Sequence, residues 1–109
     1  MADVKLSNAA KDKLLAIHKY IVEEFHSPIA ADNTVGSIFD TLERLERFPD
    51  SGPLLSSIHH RIPARFTSTR FLTFGNYIAI YDHNGDDVLV LQVYHGSEDY
   101  IRHLLRHSF

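Results

Sequence analysis

The residues best suited to chemistry lie in the segment 94–99, where a histidine and two carboxylates follow a run of β-branched and apolar residues. Glu98 or Asp99 could act as a general base. The simpler interpretation of either acid is a solvated carboxylate at the start of a helix. The simpler interpretation of His95 is a strand-end histidine bonded to a carbonyl. Because the segment ends a strand, a site built here would lie on a rigid platform.

Two further histidine pairs have spacings worth testing against metal chemistry. His103 and His107 are four residues apart and could face one way on a helix, but no third ligand accompanies them. His59 and His60 are adjacent and would point apart in a strand. The sequence has no cysteine, zinc signature, Gly-rich phosphate loop or serine-triad motif. We therefore predict no cofactor and interpret the pair on the terminal helix as a surface feature.

Composition restricts the class of protein. The chain of 109 residues is expected to form one domain over residues 1–109, and its 44% hydrophobic content suits a globular core. The absence of cysteine, of a long apolar run and of a secretory pattern predicts a cytoplasmic protein. The net charge of −3 argues against a domain whose main work is to grip phosphates, although a local basic patch could exist near residues 59–65.

The first half of the chain predicts a strand and two helices. A short alternating strand at residues 3–6 leads to Ser7, a predicted N-cap, and a helix from residue 8 to about 25. Ser27 and Pro28 suit the start of a second helix that runs to about residue 48. The apolar positions expected to face the core are Ala10, Leu14, Ile17, Ile21 and Phe25 in the first helix and Val35, Ile38, Leu42, Leu45 and Phe48 in the second.

The second half predicts an antiparallel meander. Runs of strand-forming residues at 70–74, 77–81 and 88–94 are joined by Gly75-Asn76 and by a tight turn at Asn84-Gly85. Residues 54–69 are expected to form an irregular connection with one short strand, and Ser97 could cap a terminal helix from residue 98 to about 107. The predicted fold is α+β, a helical hairpin packed on one face of a small twisted antiparallel sheet, with a short C-terminal helix.

Alternation along the last strand assigns its side chains to two faces. The residues expected to pack under the helices are Leu89, Leu91 and Val93. The residues expected on the opposite face are Val88, Val90, Gln92 and Tyr94. This second face is also apolar, so we expect a partner to cover it.

The chain resembles the RelE/ParE superfamily of toxins from bacterial type II toxin–antitoxin pairs. The resemblance rests on VKLSNAAKDKLLAIHKYI, AADNTVGSIFDTLERLERFPDSG and NYIAIYDHNGDDVLVLQVYHGSEDY. The first two stretches are closest to the ParE branch, with a helix of pattern A–x–x–D–x–L–x–x–I–x–x–Y–I and a second helix that ends in L–x–x–F–P–x–x–G. The matching residues are Ala9, Asp12, Leu14, Ile17, Tyr20 and Ile21, followed by Leu45, Phe48, Pro49 and Gly52.

The resemblance implies a growth-inhibiting toxin neutralised by a cognate antitoxin whose C-terminal segment wraps it. Such a toxin would reach promoter DNA only through the antitoxin and would have no membrane partner. The ParE branch poisons DNA gyrase, whereas the RelE branch cleaves mRNA in the ribosomal A site. The helix patterns and the negative net charge favour the gyrase-directed alternative. The second hypothesis is a ribosome-dependent, metal-independent mRNA endonuclease.

If the chain cleaves RNA, the resemblance to RelE-like toxins implies a cluster of basic and aromatic side chains. The implied catalytic residues are Arg70 on the phosphate, His95 in proton transfer, and Tyr100. The candidate RNA- or phosphate-binding residues are Arg65, Arg102 and Arg106, the last two of which could also be a solvated helix face. Gln92 and Glu98 stand where a ParE-like ending usually has arginines. This departure motivates a third hypothesis, a degenerate member that retains only antitoxin binding.

Overall fold

The computed structural model describes residues 1–59, 61–96 and 98–106. Its helices and strands, in chain order, are β1 (Asp3–Leu6), α1 (Asn8–Phe25), α2 (Pro28–Glu43), β2 (Thr69–Phe74), β3 (Tyr77–Asn84), β4 (Asp87–His95) and α3 (Tyr100–Arg106). Short 3₁₀ turns occupy Arg44–Glu46, Leu55–Ser57 and Ala64–Phe66. Within these described ranges no helix is long and apolar enough to cross a membrane. His60, the predicted cap Ser97 and His107 lie outside the described residues.

Both predicted helix starts are confirmed by their caps. The Ser7 Oγ accepts a hydrogen bond of 3.0 Å from the backbone N–H of Ala10, and the Ser27 Oγ accepts one of 3.1 Å from Ala30. These bonds satisfy amides that have no partner inside the helix. Pro28 occupies the first turn of α2, as predicted.

The far ends of the helices differ from the prediction. Helix α2 ends at Glu43, five residues early, and a 3₁₀ turn continues the chain. The other members of both predicted apolar stripes are buried or packed against the core, but Phe25 and Phe48 are exposed. A stripe that follows the helical period describes packing only as far as the helix has a neighbour to pack on.

The sheet has the strand order β1-β4-β3-β2. Strands β2, β3 and β4 form the predicted antiparallel meander, and the α+β class is confirmed. Strand β1 pairs in parallel with β4, so the sheet is mixed. The long helical connection that follows β1 permits this parallel pairing, which a hairpin could not provide.

A bulge in β4 changes which residues face the helices. The pairing passes from Ile80 opposite Gln92 to Tyr81 opposite Val90, which leaves Leu91 as an extra residue. Because side chains alternate with a period of two, one extra residue exchanges the faces beyond it.

The assignment of β4 side chains to faces is therefore partly wrong. Val88, Val90 and Val93 pack under the helices, whereas Leu91 faces the opposite side and Leu89 is 37% exposed. The hairpin turn is also displaced by one residue, to Gly85-Asp86. Gly85 has the positive φ of 60°, and Asn84 still pairs with Asp87.

The second sheet face is covered by the chain itself and does not await a partner. The buried residues of this second core are Leu55, Phe66, Ile80, Leu91, Tyr94 and Leu104. They come from the connection 54–69, the sheet and α3. Over its described residues, the connection has 3₁₀ turns and an isolated bridge from Leu54 to Arg70 in place of the predicted strand. Its apolar Leu55 and Phe66 are the physical reason that this face is closed.

Candidate functional site

Arg70 secures a turn. Its guanidinium donates hydrogen bonds of 2.8 Å to the carbonyl of Gly52 and 3.3 Å to that of Asp50. Its Nε lies 3.3 Å from the Asp50 carboxylate. The side chain therefore joins β2 to the turn that follows α2, and these contacts engage its Nη1 and Nε.

Arg70 and His95 lie at different positions along the sheet. Arg70 is paired with Tyr81 on β3, and His95 with Tyr77. Four residues along a strand correspond to about 13 Å. The ring of His95 packs edge-on against that of Tyr77, with centroids 5.5 Å apart. The predicted catalytic set is therefore not assembled around one point, and its catalytic roles stay predictions.

Tyr100 lies on the other side of the sheet, in a group that we call the His–Tyr cluster: His59, Tyr94, Tyr100 and His103. The hydroxyl of Tyr100 is 3.1 Å from Nε2 of His59, and that of Tyr94 is 2.6 Å from Nδ1 of His103. The two tyrosine rings lie 5.9 Å apart. Burial raises the pKa of both phenols, so both stay protonated at neutral pH. No sequence pattern links residues 59 and 103.

Glu98 is a paired carboxylate and not the solvated acid expected from the sequence. Both its oxygens accept from the Lys13 Nζ, at 2.7 and 2.9 Å, and one accepts from the backbone N–H of His95 at 3.0 Å. Burial alone would raise the pKa of Glu98, but these hydrogen bonds outweigh it and hold that pKa below its usual value. With its oxygens engaged in this way, Glu98 is a poor candidate for a general base.

The two departures from the ParE-like ending share a structural role. Gln92 Oε1 accepts from the backbone N–H of Val93 at 3.0 Å, just as Glu98 accepts from His95. Strand β1 pairs only with residues 87–90 of β4, so the later part of β4 has β3 on one side and no strand on the other. Side chains at positions 92 and 98 thus satisfy backbone donors at a sheet edge.

The contact between Lys13 and Glu98 predicts an effect on stability. Changing Lys13 to Met keeps the aliphatic stem but removes both charged hydrogen bonds, so we expect the free energy of unfolding to fall by about 1.5 kcal/mol. The matched control is Lys19→Met on the same helix, whose partner Glu23 is 3.9 Å away with both side chains mainly exposed. It should stay within about 0.5 kcal/mol of wild type. Urea denaturation measures both, and equal losses would contradict this assignment.

A mainly apolar groove of about 750 Å³ runs beside the helical hairpin, and we call it the hairpin groove. The α1 side of this groove includes the rings of Tyr20 and Phe25, which meet edge-to-face with centroids 6.3 Å apart. The lining residues are Lys13, Ala16, Ile17, Tyr20, Ile21, Phe25, Ala30, Thr34, Tyr77, His95 and Glu98. The groove thus combines exposed aromatic surface with a polar end at the tip of β4.

One layer of the fold is rich in arginine, and its Arg102 is paired at 3.4 Å with Asp99, the residue before α3. Residues 54–69 and α3, which we call the basic layer, carry Arg61, Arg65, Arg102 and Arg106 and no acid. The other seven Lys and Arg residues share the rest of the chain with all fourteen Asp and Glu residues. Arg65 donates a 3.0 Å hydrogen bond to the carbonyl of Leu105, which brings it to the last turn of α3, beside Arg106. The structure therefore places Arg65, Arg102 and Arg106, the predicted phosphate-binding residues, in one layer.

Comparison with known proteins agrees with the superfamily resemblance. Residues 4–100 match the family model described as the ParE toxin of the type II toxin–antitoxin system parDE. The chromosomal ParDE system of P. aeruginosa has a similar fold, with a TM-score of 0.70 and 22% identity over 87% of this chain and 96% of that chain. The RelBE2 toxin–antitoxin complex of Mycobacterium tuberculosis gives 0.62 and 18% over 86% and 96%. No curated protein matches significantly.

Proposed function

Because the chain belongs to the family of ParE toxins of type II toxin–antitoxin systems, we propose that it inhibits growth by binding DNA gyrase in the cytoplasm. The observation that carries the proposal is the family match over residues 4–100. Two features of the site support binding over RNA cleavage. Arg70 is engaged by the turn at residues 50–52, and Glu98 adds a carboxylate beside His95.

We place the antitoxin in the hairpin groove. Both solved relatives are described as toxin–antitoxin systems or complexes. A partner segment with apolar side chains would cover Tyr20 and Phe25, which are exposed in the toxin alone. Aromatic side chains of this kind provide large contact areas at little cost in conformational entropy.

A supercoiling assay with purified gyrase tests the proposal. The toxin should inhibit supercoiling. Mixing the toxin with its cognate antitoxin before gyrase is added should prevent this inhibition. The assay also separates binding from catalysis. A toxin that acts by binding should be needed in proportion to the amount of gyrase, whereas a catalyst should act well below that amount. Full supercoiling activity in the presence of excess folded toxin would contradict a gyrase target.

The basic layer favours a second candidate function, metal-independent cleavage of ribosome-bound mRNA. RNA cleavage needs proton transfer and stabilisation of the phosphate charge. The His–Tyr cluster has groups that can exchange protons, and it lies in the same layer as four arginines. On this alternative, Tyr100 takes part in proton transfer and Arg65, Arg102 and Arg106 contact phosphates, whereas His95 lines the hairpin groove on the opposite side of the sheet.

Charge reversal in α3 distinguishes this alternative. If the toxin is a nuclease, the double variant Arg102→Glu/Arg106→Glu should lose cleavage of mRNA on ribosomes. The control Lys11→Glu/Lys19→Glu makes the same charge change on α1, outside the basic layer, and should keep it. Equal cleavage by both variants would exclude the basic layer as the RNA site.

A further inference from the structure

His83 lies between two hydrogen-bond acceptors at the end of the sheet that holds Arg70. Its Nδ1 is 2.7 Å from the Asp50 carboxylate, and its Nε2 is 2.8 Å from the carbonyl of Gly85. Neither a carboxylate nor a carbonyl has a proton to donate. For both contacts to be hydrogen bonds, both ring nitrogens must donate, which only the doubly protonated imidazolium can do.

We propose that protonated His83 is a pH-sensitive connector that ties the turn after α2 to the β3–β4 hairpin. Asp50 belongs to that turn, and Gly85 belongs to the hairpin turn. The His83 side chain is 20% exposed and that of Asp50 is 62% exposed, so the ring is the shielded partner of this contact. Loss of one ring proton leaves one of the two acceptors facing a nitrogen lone pair, which weakens the tie between the two turns while Arg70 still holds the first of them.

Other charged groups surround this connector. Arg70 shares the Asp50 carboxylate from β2, with its Nε at 3.3 Å. The remaining charged groups on the surface depression that includes His83 are Glu46, Arg47, Asp86 and the amino-terminal residue Met1. Cations and anions are balanced there, so the direct contact with Asp50 decides the protonation of the ring.

The direction of the pH effect follows from the two partners. The hydrogen bond to Asp50 raises the pKa of His83 above its ordinary 6.5, and the same bond lowers the pKa of Asp50 below 3.8. The contribution of His83 is complete below pH 6.5 and is lost as the pH rises through its folded pKa. The contribution of Asp50 is complete above pH 3.8 and is lost as the pH falls through its folded pKa. Starting from neutral pH, a rise in pH therefore weakens the connector by deprotonating His83, whereas the loss of the Asp50 charge requires a fall below pH 3.8.

Nitrogen NMR of the full chain tests the protonation state directly. Both ring nitrogens of His83 should be protonated together, and their common titration midpoint should lie above pH 6.5. Asp50→Asn should lower that midpoint, because the amide no longer attracts the imidazolium. A midpoint at or below 6.5, or one that Asp50→Asn leaves unchanged, would overturn the proposal.

Thermal unfolding from pH 6 to pH 9 tests the consequence for the fold. The melting temperature of the wild type should fall over this range, and His83→Gln should remove the part of the fall due to this connector. His18→Gln is the matched control, because His18 also lies 2.7 Å from a carboxylate, that of Asp32, on the exposed surface. The control should change the slope less than His83→Gln does, because His18 contacts one acceptor on the exposed surface and His83 contacts two. An unchanged slope in His83→Gln would refute the connector, and if that variant fails to fold, the NMR comparison decides.

Discussion

Antitoxin binding is expected to weaken about 100-fold when Phe25 is replaced by glutamate. Phe25 is 65% exposed in the toxin alone and forms part of the hairpin groove with Tyr20. In the complex we propose, the new carboxylate would be buried against apolar side chains without a partner, which is costly. Because position 25 is already exposed, the toxin itself should fold normally. Titration calorimetry with the antitoxin measures the affinity.

The control for this prediction is Leu15→Glu. Leu15 lies on the same helix and is 71% exposed, but it does not line the groove. The substitution adds the same charge to α1, so it should change the antitoxin affinity by no more than about threefold. If the two variants weaken binding equally, the effect is one of net charge and the groove is not the docking surface.

The largest expected loss of stability follows from Gly52→Ala, at about 3 kcal/mol. A Cβ at position 52 would overlap the backbone carbonyl oxygen of Phe71 and lie 2.7 Å from the hydroxyl of Tyr81. The backbone cannot move away freely, because the N–H of Gly52 donates to that hydroxyl at 2.9 Å and its carbonyl accepts from Arg70. This turn is the same one that His83 and Arg70 hold against the sheet.

Gly36→Ala is the matched control for that substitution. Gly36 lies inside α2, and a Cβ there would meet no atom within 4 Å. Alanine should therefore stabilise the protein by about 0.5–1 kcal/mol, because it restricts the unfolded chain and favours the helix. Urea denaturation compares the three proteins. Wild-type stability in Gly52→Ala would contradict the close approach of this turn to β2.

Features set by neighbouring residues could be predicted from the sequence. The caps at Ser7 and Ser27 depend on a side chain and an amide three residues away, and both predictions are confirmed. The faces of β4 could not be predicted fully, because the bulge at Leu91 depends on how β3 and β4 pair. One extra residue there reverses an alternation that is otherwise regular.

The candidate site depends still more on distant contacts. Lys13 and Glu98 are 85 residues apart in the chain, so nothing in the local sequence indicates that Glu98 is paired. The resemblance implies that Arg70 holds a phosphate, but the turn that engages its Nη1 is formed by residues about twenty positions earlier. The family resemblance supplied the superfamily and the class of partner, whereas the roles of these side chains required the structure.

The measurement that tests the central claim most directly follows methionine and thymidine incorporation in parallel after tightly controlled induction of the toxin. A gyrase-directed toxin should reduce thymidine incorporation first, while methionine incorporation persists. Co-expression of the antitoxin should prevent the loss. A collapse of methionine incorporation before that of thymidine would contradict the gyrase proposal and favour mRNA cleavage by the basic layer. A normal rate of both, with folded toxin present, would contradict growth inhibition itself.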